Sequence, residues 1–497
     1  MAQGFLKGTQ HQDMEMVGER NFNGLSMCFF FQDFEMDEEG GIIKCKMHDR
    51  VHDFAIFLIR GECLTMESSS RIQAFNGRPH HLLLMMHKED STAIPTCIYN
   101  AESLHTLLIE SNRWNFISKI KLLKVFDKLK CLRILKCSNC EIKECPKQIG
   151  KLIHLRHLDL SSNWQLKELP ETVCHLYNLL ILDIIGCYQL KRLPCRMGNL
   201  VNLLHLRNEG TSNPNFMPKG MEKLTDLRTL SKFAVTHKGA ALNDLGNMNH
   251  LHGTLEITGL GIVRDVKEAE KVQLQSRKRL TSLSLQFDAN GLPMRQANES
   301  SSLVLEALKS PSDLETLSLN GHYSLCACIL PSWIVSLTKL KELVIWQFKN
   351  VEKLSLMGKL PSLESLRVDG MPKVKNVVIE FLGIEMSLSL SSSSVLAFPN
   401  LQRVSFVSLE EWEEWDSGSR EIMSSLSSLT IHECLKLKKL PDYILQNTTL
   451  QELTISFSSD AVISNLFKED CRPHISRISN MDVEGEKGTS LLLYLFH

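Results

Sequence analysis

Two histidines, His48 and His52, lie four residues apart, a spacing that puts two metal ligands on one face of a helix. A zinc peptidase with this spacing also needs a glutamate directly after the first histidine, because that carboxylate is the general base. Asp49 occupies the position, its side chain is one carbon shorter, and no third ligand is evident. The segment therefore favours another role for His48 over a catalytic zinc site.

Cysteines offer a second set of candidate metal ligands. Cys137 and Cys140 are close together, with Cys131 and Cys145 nearby, but no second close pair follows at the distance typical of a zinc ribbon. Buried cysteine commonly serves as a small apolar residue. We therefore expect structural thiols and no metal site.

Motifs of phosphate-binding and acyl-transfer enzymes are not found in the sequence. A phosphate-binding loop needs Gly-Lys followed by Ser or Thr, whereas leucine follows Gly150-Lys151 and Gly358-Lys359. No G-x-S-x-G nucleophile motif is present either. We therefore expect no enzyme, no catalytic residue and no cofactor in this chain.

Composition narrows the class of protein. The 497-residue chain has 43% hydrophobic residues, 23% charged residues and a formal net charge of −1, which fits a globular protein without a basic field for nucleic acid. No apolar run reaches the roughly 18 residues of a membrane span, and no secretory signal is visible. The 15 cysteines then indicate reduced thiols. These features predict a cytoplasmic protein with no membrane span and no nucleic-acid partner.

A repeat of 23 or 24 residues organises the chain, and its series continues at less regular spacing towards the C-terminus. The aligned leucines are Leu132, Leu155, Leu179, Leu203, Leu227, Leu251, Leu280, Leu314, Leu340, Leu363, Leu401, Leu426 and Leu450. The stretch from Leu152 to Asn163 fits the leucine-rich-repeat pattern, with Asn163 at its Asn/Cys position. Insertions at residues 288–302 and 387–394 lengthen two units.

Each unit contributes one short strand and a return segment, and stacked units share one core. The period predicts an α/β fold, a leucine-rich-repeat solenoid with a curved parallel sheet, whose buried residues include Leu155, Leu158, Leu160, Leu179, Leu182 and Leu203. Strand residues that alternate with the leucines point outward and form a long surface suited to a protein ligand. The candidate recognition residues on it are His157, Asp159, Asp183, Glu342, Trp346, Arg367 and Asp369.

Two further motifs each allow two interpretations. The basic residues 119–130 fit a return segment with a solvated lysine face, or a helix that binds membrane surfaces or calmodulin. Trp412 and Trp415, set among glutamates, either anchor a partner or pack beneath a loop. The sequence of residues 119–130 favours the return segment. The tryptophan motif fits its two interpretations equally well.

Residues 1 to about 66 lie outside the repeat. The aromatic run at 29–34 is typical of a buried strand, residues 37–41 are a turn signal, and residues 43–47 alternate as in a second strand. Residues 51–58 have helical apolar spacing. Strand, turn, strand and helix predict part of a small winged domain.

Residues 46–55, with Met47-His48-Asp49, resemble the end of the nucleotide-binding (NB-ARC) module of plant intracellular disease-resistance proteins. That family carries a Met-His-Asp motif in a winged-helix subdomain just before its leucine-rich repeats. The repeats up to about Ile455 are similar to those of its coiled-coil class. The resemblance implies that Met47, His48 and Asp49 sense a bound nucleotide, although Arg50 departs from the apolar residue usual there. The rest of that family's nucleotide-binding core is missing from the sequence, so this chain is expected to be an N-terminally truncated relative. ADP or ATP binding is then implied only for a full-length relative.

The resemblance implies a plant innate-immunity receptor whose repeats recognise a pathogen effector or a modified host protein. The repeats would also restrain a nucleotide-dependent switch, so the nucleotide-binding core of a full-length receptor is a second expected partner. A leucine-rich-repeat scaffold or adaptor and a non-functional gene fragment are the alternatives. The expected organisation is a partial winged-helix subdomain at 1–66, a linker at 67–78, the repeats at 79–460 and a C-terminal tail at 461–497.

Overall fold

The structure is a computed structural model in which the chain forms two compact units, residues 1–218 and 219–497. It describes residues 3, 14–36, 42–59, 61–67, 75, 78–86, 94–111, 117, 119–211, 217–288, 300–321, 330–354, 357–377, 397–415, 422–468 and 471–485. The turn signal at 37–41, most of the predicted linker and most of both predicted insertions lie outside the described residues.

The N-terminal region, residues 14–59 of the first unit, consists of a helix, an antiparallel strand pair and a second helix. Its elements are α1 (Met14–Met27), β1 (Phe31–Met36), β2 (Ile42–Met47) and α2 (Asp49–Leu58). The predicted order of strand, strand and helix is confirmed. The expectation of a buried first strand is wrong, since four of the six residues of β1 are exposed. A two-stranded pair has too little surface to enclose its own side chains.

The seven described strands of the first unit that follow lie side by side in chain order, all parallel. They are β3 (Cys63–Glu67), β4 (His81–Met86), β5 (Thr106–Ser111), β6 (Ile134–Cys137), β7 (His157–Asp159), β8 (Ile181–Asp183) and β9 (His205–Arg207). Between β5 and β6 the chain returns through α3 (Lys119–Lys128). Other return segments are single 3-10 turns at Thr96–Asn100, Lys147–Lys151, Glu171–His175 and Met197–Asn199.

The second unit repeats this plan. Its described strands are β10 (Thr229–Leu230), β11 (Lys232–Ala234), β12 (Gly253–Thr258), β13 (Leu280–Gln286), β14 (Thr316–Asn320), β15 (Glu342–Trp346), β16 (Ser365–Asp369), β17 (Asn376–Val377), β18 (Arg403–Val407), β19 (Glu414–Trp415), β20 (Ser428–His432), β21 (Glu452–Ser458) and β22 (Asn480–Gly485). From β11 to β22 they form one parallel sheet in chain order, except that β17 and β19 form a separate parallel pair.

Short helices and 3-10 turns make the return segments of the second unit. The helices are α4 (Val266–Val272), α5 (Ser301–Ala307), α6 (Asp442–Gln446), α7 (Asp460–Leu466) and α8 (Arg472–Ile475). The 3-10 turns are Met221–Lys223, Leu242–Asn247, Leu260–Ile262, Leu274–Ser276, Ser332–Ser336 and Met357–Lys359. Within the described part of the chain, every helix is too short or too polar to cross a membrane.

The aligned leucines form the core of both units. All thirteen are at most 4% exposed, so the repeat assignment is confirmed together with the parallel strand direction. The six leucines predicted to be buried are buried. The sheets extend past residues 79 and 460, the predicted limits of the repeats, because β3 pairs with β4 and β22 pairs with β21.

The basic segment at 119–130 contains α3 and lies in a return segment, as its sequence favoured. Leu122, Val125 and Phe126 of this helix are buried in the repeat core. The apolar face of α3 is therefore occupied by packing within the fold, which leaves its lysines on the solvent side.

Asn163 ties its repeat to the preceding one. Its side-chain amide donates to the carbonyls of Cys137 and Leu160, both at 2.8 Å. Its oxygen accepts from the backbone N–H groups of Cys140 at 3.1 Å and Ile142 at 2.9 Å. Because Asn163 is fully buried, water does not compete for these bonds. The Asn/Cys position of the repeat therefore satisfies backbone groups that the end of the strand leaves without partners.

Candidate recognition surface and nucleotide-sensing segment

The open face of each sheet, the side opposite the leucine core, presents strand residues that alternate with buried ones. In β15, buried Leu343 and Ile345 alternate with Glu342, Val344 and Trp346. Many positions on the open face of the second sheet carry hydroxyl side chains, among them Ser282, Ser284, Thr316, Ser318, Ser365, Ser405, Ser428, Thr430, Thr454 and Ser456. Larger and charged side chains, such as Trp346 and Arg367, lie among these hydroxyl groups.

Three of the candidate recognition residues lie together on adjacent strands. Trp346 at the end of β15 is directly opposite Asp369 at the end of β16. The guanidinium of exposed Arg367 forms an ion pair with Asp369, with Nη2 and Oδ2 2.8 Å apart. The indole N–H of half-buried Trp346 is enclosed and has no acceptor among the described residues. The cluster therefore offers a half-buried aromatic ring and a charged pair to a ligand.

Glu342 is at the opposite end of β15 and is exposed. It lies opposite Ser365 of β16 and Thr316 of β14. Its carboxylate is therefore on the same open face as the cluster, separated from Trp346 by the length of the strand.

Asp159 and Asp183 do not fit the expected exposed surface, since they are only 7% and 6% exposed. Asp159 turns its carboxylate onto its own strand end, where Oδ1 accepts from the backbone N–H of Ser161 at 2.9 Å and from its hydroxyl at 2.6 Å. Asp183 accepts in the same way from the N–H of Ile185 at 3.2 Å and pairs with Arg207 at 3.1 Å. Both aspartates close turns, and burial raises the pKa of Asp183.

His157 of β7 lies on the open face of the first sheet and is half-buried. Burial lowers the pKa of its imidazole, and Lys136 and Arg207 lower the pKa further, while Asp159 acts in the opposite sense. His157 belongs to the first unit, whereas Trp346, Arg367 and Asp369 belong to the second. The structure therefore places the candidate residues in two separate groups, each confined to its own unit.

The Met47-His48-Asp49 segment joins β2 to α2. His48 is the residue that caps the N-terminus of α2, and its Nδ1 accepts from the backbone N–H of Arg50 at 3.3 Å. Its own N–H donates to the carbonyl of Phe30 at 2.9 Å, which fixes the segment to the hairpin. Because Nδ1 accepts, the neutral ring carries its proton on Nε2. A half-buried donor at a helix N-terminus is suited to contact an anion, and Met47 and Asp49 beside it are exposed.

Contacts that the sequence did not indicate connect the N-terminal segment to the open face of the first sheet. Glu15 of α1 lies 3.2 Å from the Nε2 atom of His205 in β9. The carbonyl of Gln3 accepts from Arg133 Nη1 at 3.2 Å, and the Gln3 amide donates to the hydroxyl of Thr106 in β5. These contacts join residues more than one hundred positions apart, and no local sequence pattern signals them.

The two tryptophans set among glutamates are core residues. Trp412 is fully buried and Trp415 is 3% exposed. Their rings lie 5.4 Å apart, and both contact Phe406 of β18 at 4.9 and 5.3 Å between ring centroids. The alternative in which these tryptophans pack within the fold is therefore confirmed, and they are not available to anchor a partner.

Cysteines occupy positions that hold the repeats together. Cys187, one repeat after Asn163, contacts the Leu160 carbonyl with its thiol at 3.2 Å. Burial raises the pKa of Cys140, Cys145 and Cys187 to about 12, so these thiols stay protonated at neutral pH. They have the structural role expected of them. Within the described residues, no three His, Cys, Asp or Glu side chains lie close enough together to hold a metal ion.

Comparison with known proteins adds family relationships. Residues 113–409 match the family described as a leucine-rich repeat region, and residues 1–55 match the disease resistance protein winged helix domain. The chain is 38% identical to the disease resistance protein RGA1 of Solanum bulbocastanum over 372 residues, 74% of this chain and 34% of that protein. It is 32% identical to the disease resistance protein RGA2 of the same species over 447 residues, 87% of this chain and 41% of that protein. The chain thus spans less than half the length of these relatives.

Proposed function

Because this chain belongs to the leucine-rich-repeat disease resistance proteins of plants, we propose that it acts in innate immunity by binding a protein ligand on the open face of its repeats. The ligand is a pathogen effector or a host protein that a pathogen has modified. The observation that carries this proposal is the cluster of Trp346, Arg367 and Asp369 on two adjacent strands. Tryptophan and arginine are enriched among the residues that dominate interface energies, and a long open surface suits binding better than catalysis.

The test of recognition is the double change Trp346→Ala with Arg367→Ala, made in the chain joined to a nucleotide-binding core and expressed in leaf tissue. Ligand-dependent cell death should be lost while protein abundance is unchanged, because replacing outward side chains usually changes stability by under about 0.5 kcal/mol. Arg472→Ala, an exposed arginine in the return segment α8, is the matched control and should respond normally. Loss of abundance in the Trp346→Ala variant would instead assign that ring to the fold.

We further propose that Met47, His48 and Asp49 report the nucleotide state of a nucleotide-binding core, and that the repeats restrain that core. The support is the position of His48 at the start of α2, where a ring N–H and a helix N-terminus both attract an anion. The contact of Glu15 with His205 supports the second part, because it links the N-terminal region to the repeats. Asp49→Val in the joined chain should favour the active state and cause cell death without ligand. Silence at normal abundance would contradict the proposed switch.

The chain alone should bind ADP or ATP weakly or not at all, since a single histidine does not replace a phosphate-binding loop and its metal ligands. Calorimetry on the purified chain tests this, and micromolar affinity would contradict it. The proposed location is the cytoplasm, where the 15 thiols would stay reduced. A fluorescent fusion that accumulates in the secretory pathway would contradict that location.

A further inference from the structure

A row of basic side chains lies directly before the strands of the first sheet. His80, His105, Arg133 and Arg156 occupy the same position in four successive repeats, since the backbone N–H of each donates to the carbonyl of the one before it at 2.7 to 2.8 Å. Neighbouring positions in such a row are about 4.8 Å apart. The rings of His80 and His105 stack at 4.9 Å between centroids. The row therefore concentrates cationic and titratable groups along one margin of the sheet.

The row borders a pocket of about 240 Å³. Its lining residues are His105, Cys131, Arg133, His154, Arg156 and Asn178. The Asn178 amide donates to the Ile153 carbonyl at 2.8 Å, which holds this part of the wall in place. Two guanidiniums, two imidazoles and an amide thus face one opening, and the described residues of its lining include no carboxylate.

No acid among the described residues neutralises the two arginines of the pocket. Arg156 is half-buried, and its guanidinium has no hydrogen bond or ion pair with any described residue. Arg133 donates to the carbonyl of Gln3, an uncharged acceptor. Glu62, the acidic residue at the corresponding position of β3, lies on the far side of His80 in the row. Within the described residues, the pocket therefore presents two positive charges without an acidic partner, about one strand spacing apart.

We propose that this pocket binds the phosphate group of a small soluble molecule, or free phosphate itself. Guanidinium groups present several N–H donors in a fixed plane and match the oxygens of a tetrahedral oxyanion, and such charge-assisted hydrogen bonds are roughly twice as strong as neutral ones. Two arginines on adjacent repeats would grip different oxygens of one phosphate. The lining of this pocket includes neither the cluster of Trp346 nor His48, so the proposal does not depend on the function proposed above.

Binding of a doubly charged anion should be coupled to uptake of a proton by His105. Burial lowers the pKa of this imidazole in the free protein, and Arg133, His80 and His81 lower the pKa further. Glu62, the residue directly before β3, acts in the opposite sense on the pKa of the neighbouring His81. An anion beside His105 would favour the protonated ring, so its pKa should rise on binding.

Isothermal titration calorimetry on the whole chain tests the proposal with inorganic phosphate, glycerol 3-phosphate and acetate. Phosphate should bind with one site per chain, and acetate should not bind. A positive result with glycerol 3-phosphate would identify a phosphate ester as the ligand class, and binding of phosphate alone would identify the free ion. Arg156→Met should weaken binding about tenfold or more, the loss expected for one charge-assisted contact. Arg192→Met, which removes an exposed arginine elsewhere in the same unit, should leave affinity unchanged.

Sulfate provides a second measurement that needs no variant, because it is a tetrahedral dianion that does not titrate near neutral pH. The heat of sulfate binding at pH 6.5 should differ between buffers of different ionisation enthalpy, because the proton that His105 takes up is released by the buffer. The proposal is wrong if millimolar phosphate and sulfate give no binding heat, if acetate binds as well as phosphate, or if Arg156→Met and Arg192→Met behave alike.

Discussion

The N-terminal region at 14–59 and the repeats both contain many apolar side chains, but they bury them very differently. No residue of α1 or α2 is buried, and Phe54 in the middle of α2 is 61% exposed. Leu158 and Leu182, paired on neighbouring strands of the first sheet, are completely buried. Burial in this molecule therefore follows from stacking units of one shape, because each repeat covers the apolar face of the next.

The largest expected effect is the difference in stability loss between a substitution in the repeats and one in the N-terminal region. Leu158→Ala should lower the free energy of unfolding by roughly 2–5 kcal/mol, because it leaves a cavity in a filled core. Phe54→Ala should change it by less than about 0.5 kcal/mol, since the ring is already in water. Urea unfolding followed by circular dichroism measures both. Equal losses would mean that α2 is covered in solution, and the contrast between the regions would then fail.

A second, smaller effect separates buried from exposed polar groups within the repeats. Asn163→Ala should lower the free energy of unfolding by about 1–3 kcal/mol, because the buried N–H groups of Cys140 and Ile142 lose their acceptor. Asn178→Ala is the matched control, since this exposed amide makes one bond to the Ile153 carbonyl and water can replace it. Thermal unfolding of the two variants measures the difference. If both variants lose the same stability, burial of the Asn163 hydrogen bonds does not increase their contribution to stability.

The smallest effect concerns pH and sharpens the comparison for titratable groups. Burial lowers the pKa of His157 in the folded chain, so the native state binds fewer protons than the unfolded state as the pH falls. Stability should therefore be fully present above the unfolded pKa of about 6.5 and decrease as the pH drops below it. His157→Gln should reduce this decrease, and His175→Gln, at an exposed histidine, should leave it unchanged. Identical pH profiles for all three proteins would contradict the assignment.

Much of the fold could be predicted because its signal is local and recurs. The leucine period gave the strand direction and the buried rows, and the hairpin and helix of the N-terminal region followed from alternation and helical spacing. The sheet margins were missed because their strands carry few leucines. β3 reads Cys63-Leu64-Thr65-Met66, and β22 has Met481 at the position that Leu453 occupies in β21.

The candidate surface was less predictable, since strand alternation gives the direction of a side chain and not its partners. Asp159 and Asp183 point to the open face, but their carboxylates bind backbone N–H groups two residues ahead, a known tendency of aspartate in turns. The contact between Glu15 and His205 depends on how distant segments pack, and no periodicity encodes it. The Trp346 cluster could be predicted from the sequence, because its residues are large or charged at outward strand positions.

The bonds of Asn163 also bear on how such a gene can change length. Three of its five partners, Cys137, Cys140 and Ile142, belong to the preceding repeat, and the thiol of Cys187 likewise contacts the Leu160 carbonyl of the repeat before it. The junctions at Asn163 and Cys187 thus use the equivalent backbone carbonyl of the preceding repeat. Unequal recombination that removes or duplicates one unit of 23 or 24 residues would recreate an equivalent junction. No buried amide would then lose its hydrogen-bond partners. The number of repeats can therefore differ between relatives while the fold is conserved.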